Sequence, residues 1–232
     1  GDEIGVRIGA AGPAGRYSLN TDGTVKEAVE PVYWQNTGPA NVEAWYPCAA
    51  QLDVDISDQL SDGFAGFDFL AATAENQRYT APAELTFRHL MAKVCYSLVP
   101  GDGISADDLA DAAVSIAGFT RAGFSEGNLD GDADGWIAPT ADREALLVPQ
   151  DMADRPFIKV SINGNDYIYT PGAGAADLRG GKRYIYTITV KADGSGIEVK
   201  EVKEGAWADS GSSETVTGKT VLVRYTAADV KK

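Results

Sequence analysis

The sequence predicts an all-β fold built from β-sandwiches. Apolar and polar residues alternate over many short segments, which is typical of strands that bury one face. Clusters of glycine, asparagine and aspartate separate these segments and favour tight turns. The segments recur roughly every ten residues, a spacing typical of sandwiches and unlike that of a sheet built from βαβ units.

Two strands stand out in the first half of the chain. Ile4, Val6 and Ile8 alternate with polar or small residues and predict a first strand, and the stretch from Gly9 to Gly15 then predicts a loose connector. The segment from Leu85 to Leu98 predicts the main core strand of this half. Its apolar face would consist of Leu90, Ala92, Val94, Tyr96 and Leu98.

The second half predicts two hairpins and a terminal strand. Asn163-Gly164, a preferred hairpin turn, follows the alternating segment from Ile158 to Ile162 and precedes the segment from Tyr167 to Tyr169. A second hairpin would join the segment 184–190 to the segment 197–202. The terminal strand would contain Val221, Val223 and Tyr225.

Helical signals are weak, so only a few short helices are expected. Ser105 is suited to cap a helix of one or two turns over 105–113, and a second short helix is predicted near 141–146. Pro149 and Pro156 bracket a polar connector, which predicts an N-terminal domain over residues 1–150 and a smaller C-terminal domain over 151–232.

The charge of the chain excludes some classes of partner. There are 20 basic and 34 acidic residues, a formal net charge of −14. No run of Lys or Arg could neutralise phosphates, so nucleic acid and anionic membranes are not expected partners.

No apolar run reaches the roughly 20 residues of a membrane-spanning helix. Because the chain starts at Gly1 without Met, we expect an export signal or a lipid-bearing cysteine to have been removed upstream.

The residues offer little for catalysis, so the chain is predicted not to be an enzyme. His89 is the single histidine, and we expect it to have a structural role because one histidine cannot supply most catalytic triads or His-rich metal sites. No nucleophile elbow, phosphate loop or dinucleotide fingerprint is present. No cofactor is expected, and a bound calcium ion is the alternative.

Asp130, Asp132 and Asp134 have the spacing of oxygen ligands that opens a calcium loop. The match is partial, because the twelfth position of such a loop is Ala141 where a bidentate glutamate would be required. The alternative is a turn rich in glycine and aspartate between two strands.

The cysteines and tryptophans leave alternatives open. Cys48 and Cys95 match no metal-ligand spacing and are either one disulfide or two buried free thiols. The four tryptophans fill the core or, alternatively, form a platform on which sugar rings stack. They are Trp34, Trp45, Trp136 and Trp207.

Five stretches together resemble the fimbrillin family, the pilus subunits of Bacteroides-type bacteria. The most specific lies within 85–98, where Phe87-Arg88-His89 is followed by Met91-Ala92-Lys93-Val94. The others follow in family order and are Ala44-Trp45-Tyr46-Pro47, the run 113–118, the run 145–150, and Gly181-Lys182-Arg183-Tyr184 leading into 188–190.

The resemblance implies two tandem transthyretin-like β-sandwiches, export as a lipoprotein to the outer membrane, and assembly of subunits into fimbriae by donor-strand exchange. It also implies cleavage after an arginine, for which Arg16 is the candidate, with loss of the first strand that carries Ile4, Val6 and Ile8. The terminal strand would be the donor, or it would close its own second sandwich. The alternative function is a monomeric surface adhesin or glycan-binding module of the same fold.

Overall fold

The computed structural model describes residues 2–49, 51–64, 66–191, 196–207 and 220–223. The first nine strands are β1 (Glu3–Ile8), β2 (Ala14–Leu19), β3 (Val25–Glu30), β4 (Ala40–Tyr46), β5 (Leu52–Asp55), β6 (Leu70–Gln77), β7 (Ala83–Thr86), β8 (Arg88–His89) and β9 (Ala92–Pro100). The others are β10 (Ala113–Ser125), β11 (Asn128–Ile137), β12 (Glu144–Leu147), β13 (Gln150–Asp151), β14 (Ile158–Ile162), β15 (Asn165–Tyr169), β16 (Asp177–Leu178), β17 (Lys182–Lys191), β18 (Gly196–Ala206) and β19 (Thr220–Val223). Two short helices, α1 (Gln59–Asp62) and α2 (Ala106–Ala110), complete the described elements. The all-β fold class is therefore confirmed.

The N-terminal strands form a six-stranded sheet in the order β3-β2-β1-β4-β6-β8. β7 pairs with β19 in a separate two-stranded ribbon, and β7 contributes to the same core. That core contains Ile4, Val6 and Ile8 from β1 together with Ala83 and Leu85 from β7. Since β1 lies between β2 and β4, the first strand is an inner strand of the sheet.

The later strands form two further sheets around a second, larger core. One sheet has the order β11-β10-β14-β15, with β5 also paired to β10, and the other has the order β12-β9-β17-β18. Among the described strand pairs, β9 and β17 run parallel. The sequence did not predict this pair, because alternation shows which face of a strand is buried and not the direction of its neighbour.

The sheets divide at a different place from the predicted domains. Strands on both sides of residue 150 pair within the same sheets, since β10 pairs with β14 and β9 pairs with β17. The predicted boundary after residue 150 therefore does not coincide with a division between sheets. The chain first leaves the six-stranded sheet at β5, which pairs with β10, and returns to it at β6; its last strand in that sheet is β8, and β9 after residues 90–91 belongs to another sheet.

The predicted strand from Leu85 to Leu98 is corrected to three strands in three sheets. β7 pairs with β19, β8 pairs with β6, and β9 pairs with β12 and β17. Met91 is buried at the step between β8 and β9, next to the buried Ala92. Two adjacent buried residues break the alternation, because the chain changes sheets at this point.

Two local predictions are confirmed and one is wrong. Asn163 and Gly164 have φ angles of 49° and 79°, as the hairpin turn between β14 and β15 requires. Ser105 caps α2 in a capping box with Asp108. The short helix predicted near 141–146 is wrong, because Glu144–Leu147 is strand β12 paired with β9.

No helix within the described residues has the length and apolar character needed to cross a bilayer.

Candidate functional site

The first strand fills the core of the six-stranded sheet. Ile4, Val6 and Ile8 are all buried, with at most 4% of each residue exposed. The main chain of β1 is paired on both edges, with β2 and with β4. Removal of this strand would leave a gap between β2 and β4 that is lined by apolar side chains.

Arg16 lies inside strand β2 and not in a connector, which corrects the prediction. Its partners in the two adjacent strands are Gly5 of β1 and Glu30 of β3. The guanidinium also forms ion pairs with Glu30 at 3.3 Å and with Glu3 at 3.6 Å. The alternating segment that contains Arg16 is short and follows a glycine-rich stretch, so the sequence did not mark β2 as a strand.

The C-terminal strand β19 pairs with β7, in an antiparallel register that places Val221 opposite Leu85 and Val223 opposite Ala83. Ala83 and Leu85 are fully buried in the first core. The terminal strand therefore pairs with the N-terminal half of the chain. We had expected that a terminal strand that is not donated would instead close the second sandwich. Tyr225, the third predicted donor residue, lies outside the described residues.

The acidic segment 130–135 lies within strand β11 and not in a loop. Asp132 is opposite Arg121 of β10, and Asp134 forms a 2.7 Å ion pair with Arg155. Asp130 is opposite Gly123 in the same strand pair. An extended strand cannot fold around one ion as a calcium loop does, and the described part of the chain holds no group of three acidic, His or Cys side chains suited to a metal.

Both cysteines are free thiols, so the disulfide alternative is wrong. Cys48 follows β4 and is half-buried, whereas Cys95 is buried on β9. Arg183 Nε donates to Cys95 Sγ at 3.3 Å, and this thiol in turn lies 3.4 Å from the Glu144 carboxylate. Burial raises the pKa of both thiols.

The tryptophans do not form a platform for sugars. Trp34, Trp45 and Trp207 are buried, and Trp136 is 37% exposed. The Lys159 ammonium lies 4.9 Å from the centre of the Trp136 ring. The stacking prediction is therefore wrong, because three of the four rings present no open face.

His89 has a structural environment, as predicted. Its Nδ1 lies 2.7 Å from the Asp68 carboxylate, and its ring stacks on the indole of Trp207 with 3.7 Å between the ring centres. On the neighbouring strand β9, the Lys93 ammonium lies 5.7 Å from the centre of the same indole. Imidazole, indole and ammonium together hold the end of β18 against β8 and β9.

The profile of the fimbrillin-like family matches residues 3–207 of the 232-residue chain. This chain belongs to the fimbrillin-like family.

Solved structures share the fold of this fimbrillin-like chain. A proposed cell adhesion protein of Bacteroides uniformis is 20% identical, with 90% of this chain and 92% of that chain covered and a TM-score of 0.66. A similar protein of Bacteroides ovatus is also 20% identical, with coverage of 90% and 88% and a TM-score of 0.61. One of Bacteroides thetaiotaomicron is 15% identical, with coverage of 88% and 84% and a TM-score of 0.54. Comparison with curated proteins gives no match.

Sequence reasoning missed a cluster of charged residues formed by Lys93, in the segment that most resembles the fimbrillin family, with Glu144 of β12 and Arg183 of β17. Lys93 forms an ion pair of 2.5 Å with Glu144, and Arg183 lies 3.8 Å from the same carboxylate. The available signal was the charged Lys93 between Ala92 and Val94, both of which are fully buried. A lysine in such a place needs an acidic partner from another strand, and a single sequence does not identify it.

Proposed function

We propose that this fimbrillin-like chain is a non-catalytic structural or accessory subunit of surface fimbriae that joins neighbouring subunits by strand complementation. The observation that carries the proposal is the pairing of β19 with β7. The N-terminal half has an edge that accepts a strand from the C-terminal end of a chain. The structural neighbours described as proposed cell adhesion proteins support a role in adhesion.

Strand exchange needs an acceptor with two properties, and β7 has both. Its main chain forms a regular antiparallel ladder with the incoming strand, which supplies affinity without requiring a particular sequence. Its buried residues alternate, since Ala83 and Leu85 enter the core while Glu84 and Thr86 are exposed. A strand from a second copy would meet the same edge as β19 does.

Removal of the first strand would create a second acceptor. Cleavage after Arg16 would remove Ile4, Val6 and Ile8 together with residues 14–16 of β2, so a donor with the same alternation could pair with β4 and with residues 17–19 of β2. Proteolysis after Arg16 would require β2 to separate from β1 and β3, because a protease binds its substrate as an unpaired extended segment. We infer that the chain is cleaved after Arg16 at a stage when β2 is not paired with β1 and β3.

The proposal also places the chain at the cell surface. Export as a lipoprotein to the outer membrane would bring the subunit to the site where fimbriae assemble. Its partners would be other fimbrial subunits, with a ligand on a host or bacterial surface as a further partner.

Limited trypsin digestion tests the processing step and the assembly step. Cut sites are followed over time by mass spectrometry, and the products by size-exclusion chromatography. Arg78 is an internal reference, since it lies outside the strands and is exposed. We expect cleavage after Arg78 first and after Arg16 later, and we expect the product trimmed at Arg16 to form ladders or to take up a labelled peptide covering residues 216–232.

An Arg16→Gln variant is the matched control, since it removes the cleavage site and should stay monomeric under the same digestion. Resistance of Arg16 under all conditions would contradict the processing step. A trimmed product that stays monomeric and binds no peptide would contradict strand complementation at the opened gap.

A further inference from the structure

Arg7 ties the first strand to two carboxylates that would stay in the chain if β1 were removed. Its guanidinium donates to Glu43 of β4 at 2.7 Å and to Glu126, in the turn between β10 and β11, at 2.6 Å. The Arg7 side chain is only 18% exposed, so these ion pairs are partly shielded from water. Cleavage after Arg16 would remove Arg7 and leave both carboxylates beside the opened gap.

Two carboxylates beside one gap are unfavourable without a cation. Glu43 and Glu126 lie within 2.7 Å of the same guanidinium, so they would repel each other once that guanidinium is gone. A donor strand with apolar alternation alone would leave this repulsion in place, whereas a donor with an arginine at the Arg7 position would remove it. The two carboxylates can therefore distinguish between donor strands, which main-chain pairing does not do.

The C-terminal segment has an arginine at the matching position. Strand β1 contains Ile4-Gly5-Val6-Arg7-Ile8, and the segment that begins within β19 reads Val221-Leu222-Val223-Arg224-Tyr225. Three large apolar residues alternate in both segments, and the arginine directly precedes the third of them in each. Arg224 and Tyr225 lie outside the described residues, so the match is one of sequence.

The register of β1 shows where the arginine of the donor would lie. Arg7 is opposite Glu43 in the antiparallel pairing with β4, so a donor in the same register and direction would place Arg224 opposite Glu43. A shift by two residues would keep the same apolar face toward the core but would move the arginine away from the carboxylates. A donor in the reverse direction would place Leu222 opposite Glu43. Only one arrangement therefore satisfies both the core and the charges.

One position of the donor is larger than its counterpart in β1, and a cleft next to it provides space. Leu222 would take the place of Gly5, where a Cβ atom would lie 2.3 Å from Cε2 of Trp45. The indole therefore has to turn when the donor enters. A cleft of about 300 Å³ borders this indole, and Gly15 and Arg16 form part of its wall. Cleavage after Arg16 would widen the cleft and make room for the indole.

We propose that Glu43 and Glu126 select the incoming strand and fix its register by accepting hydrogen bonds from an arginine of the donor. The donor is the C-terminal segment of a second copy of this chain, with Arg224 in the place of Arg7. This inference rests on the strand complementation proposed above. It adds the residues that would decide which strand is accepted.

Displacement of the first strand tests the proposal in the full-length chain. A recognition sequence for a site-specific protease is inserted after Ala10, in the exposed connector between β1 and β2, so that the folded chain is nicked while β1 stays in place. Labelled peptides covering residues 216–232 are added, and their binding and the release of β1 are followed by fluorescence anisotropy and native mass spectrometry. Arg224→Gln should weaken peptide binding roughly tenfold, whereas Lys231→Gln, which removes the same charge outside the matching segment, should leave it unchanged.

Variants of the acceptor show whether the two carboxylates are responsible. In a chain with both Glu43→Gln and Glu126→Gln, the wild-type and Arg224→Gln peptides should bind equally well, because the charges that distinguish them are gone. A chain with both Glu27→Gln and Glu75→Gln loses two exposed carboxylates of the same sheet and should keep the difference between the peptides.

The outcomes separate this inference from the strand complementation on which it rests. If the wild-type and Arg224→Gln peptides displace β1 equally well from the chain that retains Glu43 and Glu126, strand complementation stands and selection by charge is overturned. Selection by charge is also overturned if the difference between the peptides persists after both carboxylates are replaced. If no peptide displaces β1, strand complementation at this gap fails and the inference fails with it.

Discussion

At the scale of single residues, short polar side chains fix the turns between strands. Ser105, Asp108 and Asn163 connect the start of α2 to the hairpin turn of β14 and β15. The sequence predicted Ser105 as a cap, since a cap and its acidic partner are three residues apart. It did not predict Asn163 as a partner, because that residue is 55 positions away from Asp108.

The pKa of Asp108 should be depressed from 3.8 to about 2, because Ser105 donates from its side chain and its backbone N–H, and Asn163 adds a third hydrogen bond. The hydrogen bonds favour the charged carboxylate, so their stabilising contribution is present above pH 4 and is lost as the pH falls toward about 2. NMR titration of the Asp108 carboxyl checks the value. Ser105→Ala should raise the pKa more than Asn163→Ala does, and an unshifted pKa in the wild-type protein would contradict the geometry.

Gln59 is a second residue whose role depends on distant partners. It is fully buried, and its side chain both donates to the backbone oxygen of Leu146 and accepts from the N–H of the same residue, each at 2.8 Å. Helix α1 places it there, with Asp58 as the N-cap. Glutamine alone in a polar stretch gives no signal of burial, so the sequence did not mark it.

We expect Gln59→Leu to lower the free energy of unfolding by about 2–4 kcal/mol, because the Leu146 N–H and C=O would lose their partner in a buried place. Gln35→Ala is the control, since Gln35 is exposed and its side chain donates to the nearby Tyr33 carbonyl. Urea denaturation measures both variants. Equal stability of the two variants would show that the hydrogen bonds of the buried Gln59 amide do not contribute to the free energy of unfolding.

At the scale of elements, the sequence predicted the turns more accurately than it predicted which strands pair with one another. Asn163-Gly164 fixes its hairpin locally, because both residues adopt positive φ angles that this dipeptide favours. Strand β9 has no such local signal. Its partners β12 and β17 begin about 50 and 90 residues later, and one of them is parallel.

Gly164→Ala should destabilise the protein by about 1 kcal/mol, since alanine is strained at a φ of 79° although the space around Gly164 is open. Gly172→Ala is a matched comparison, because Gly172 also has open space but is not in the left-handed region. Its stability should be unchanged or slightly raised. Thermal unfolding of both variants checks this, and a Gly164 variant as stable as the Gly172 variant would contradict the turn assignment.

At the scale of the whole molecule, the all-β class and the family could be predicted from the sequence, whereas the path of the chain between sheets could not. Arg16 illustrates the difference. Its position after a glycine-rich stretch indicated a connector, yet its backbone pairs with both β1 and β3. The C-terminal strand is a second case, because a terminal strand usually pairs within its own domain and β19 returns to β7 instead.

The central claim is that the edge of β7 accepts a C-terminal strand from another copy of the chain. Thr86 and Thr220 are opposite each other in the β7–β19 register, so one cysteine can be placed on each side. Thr86→Cys and Thr220→Cys are made in separate chains that also carry Cys48→Ser and Cys95→Ser. The two chains are mixed, trimmed and oxidised, and disulfide-linked pairs are identified by mass spectrometry.

The account predicts a disulfide between residue 86 of one chain and residue 220 of the other, and none when Asp166→Cys, on the distant strand β15, replaces Thr86→Cys. A disulfide that forms only when both cysteines are in the same chain, and never between mixed chains, would contradict it.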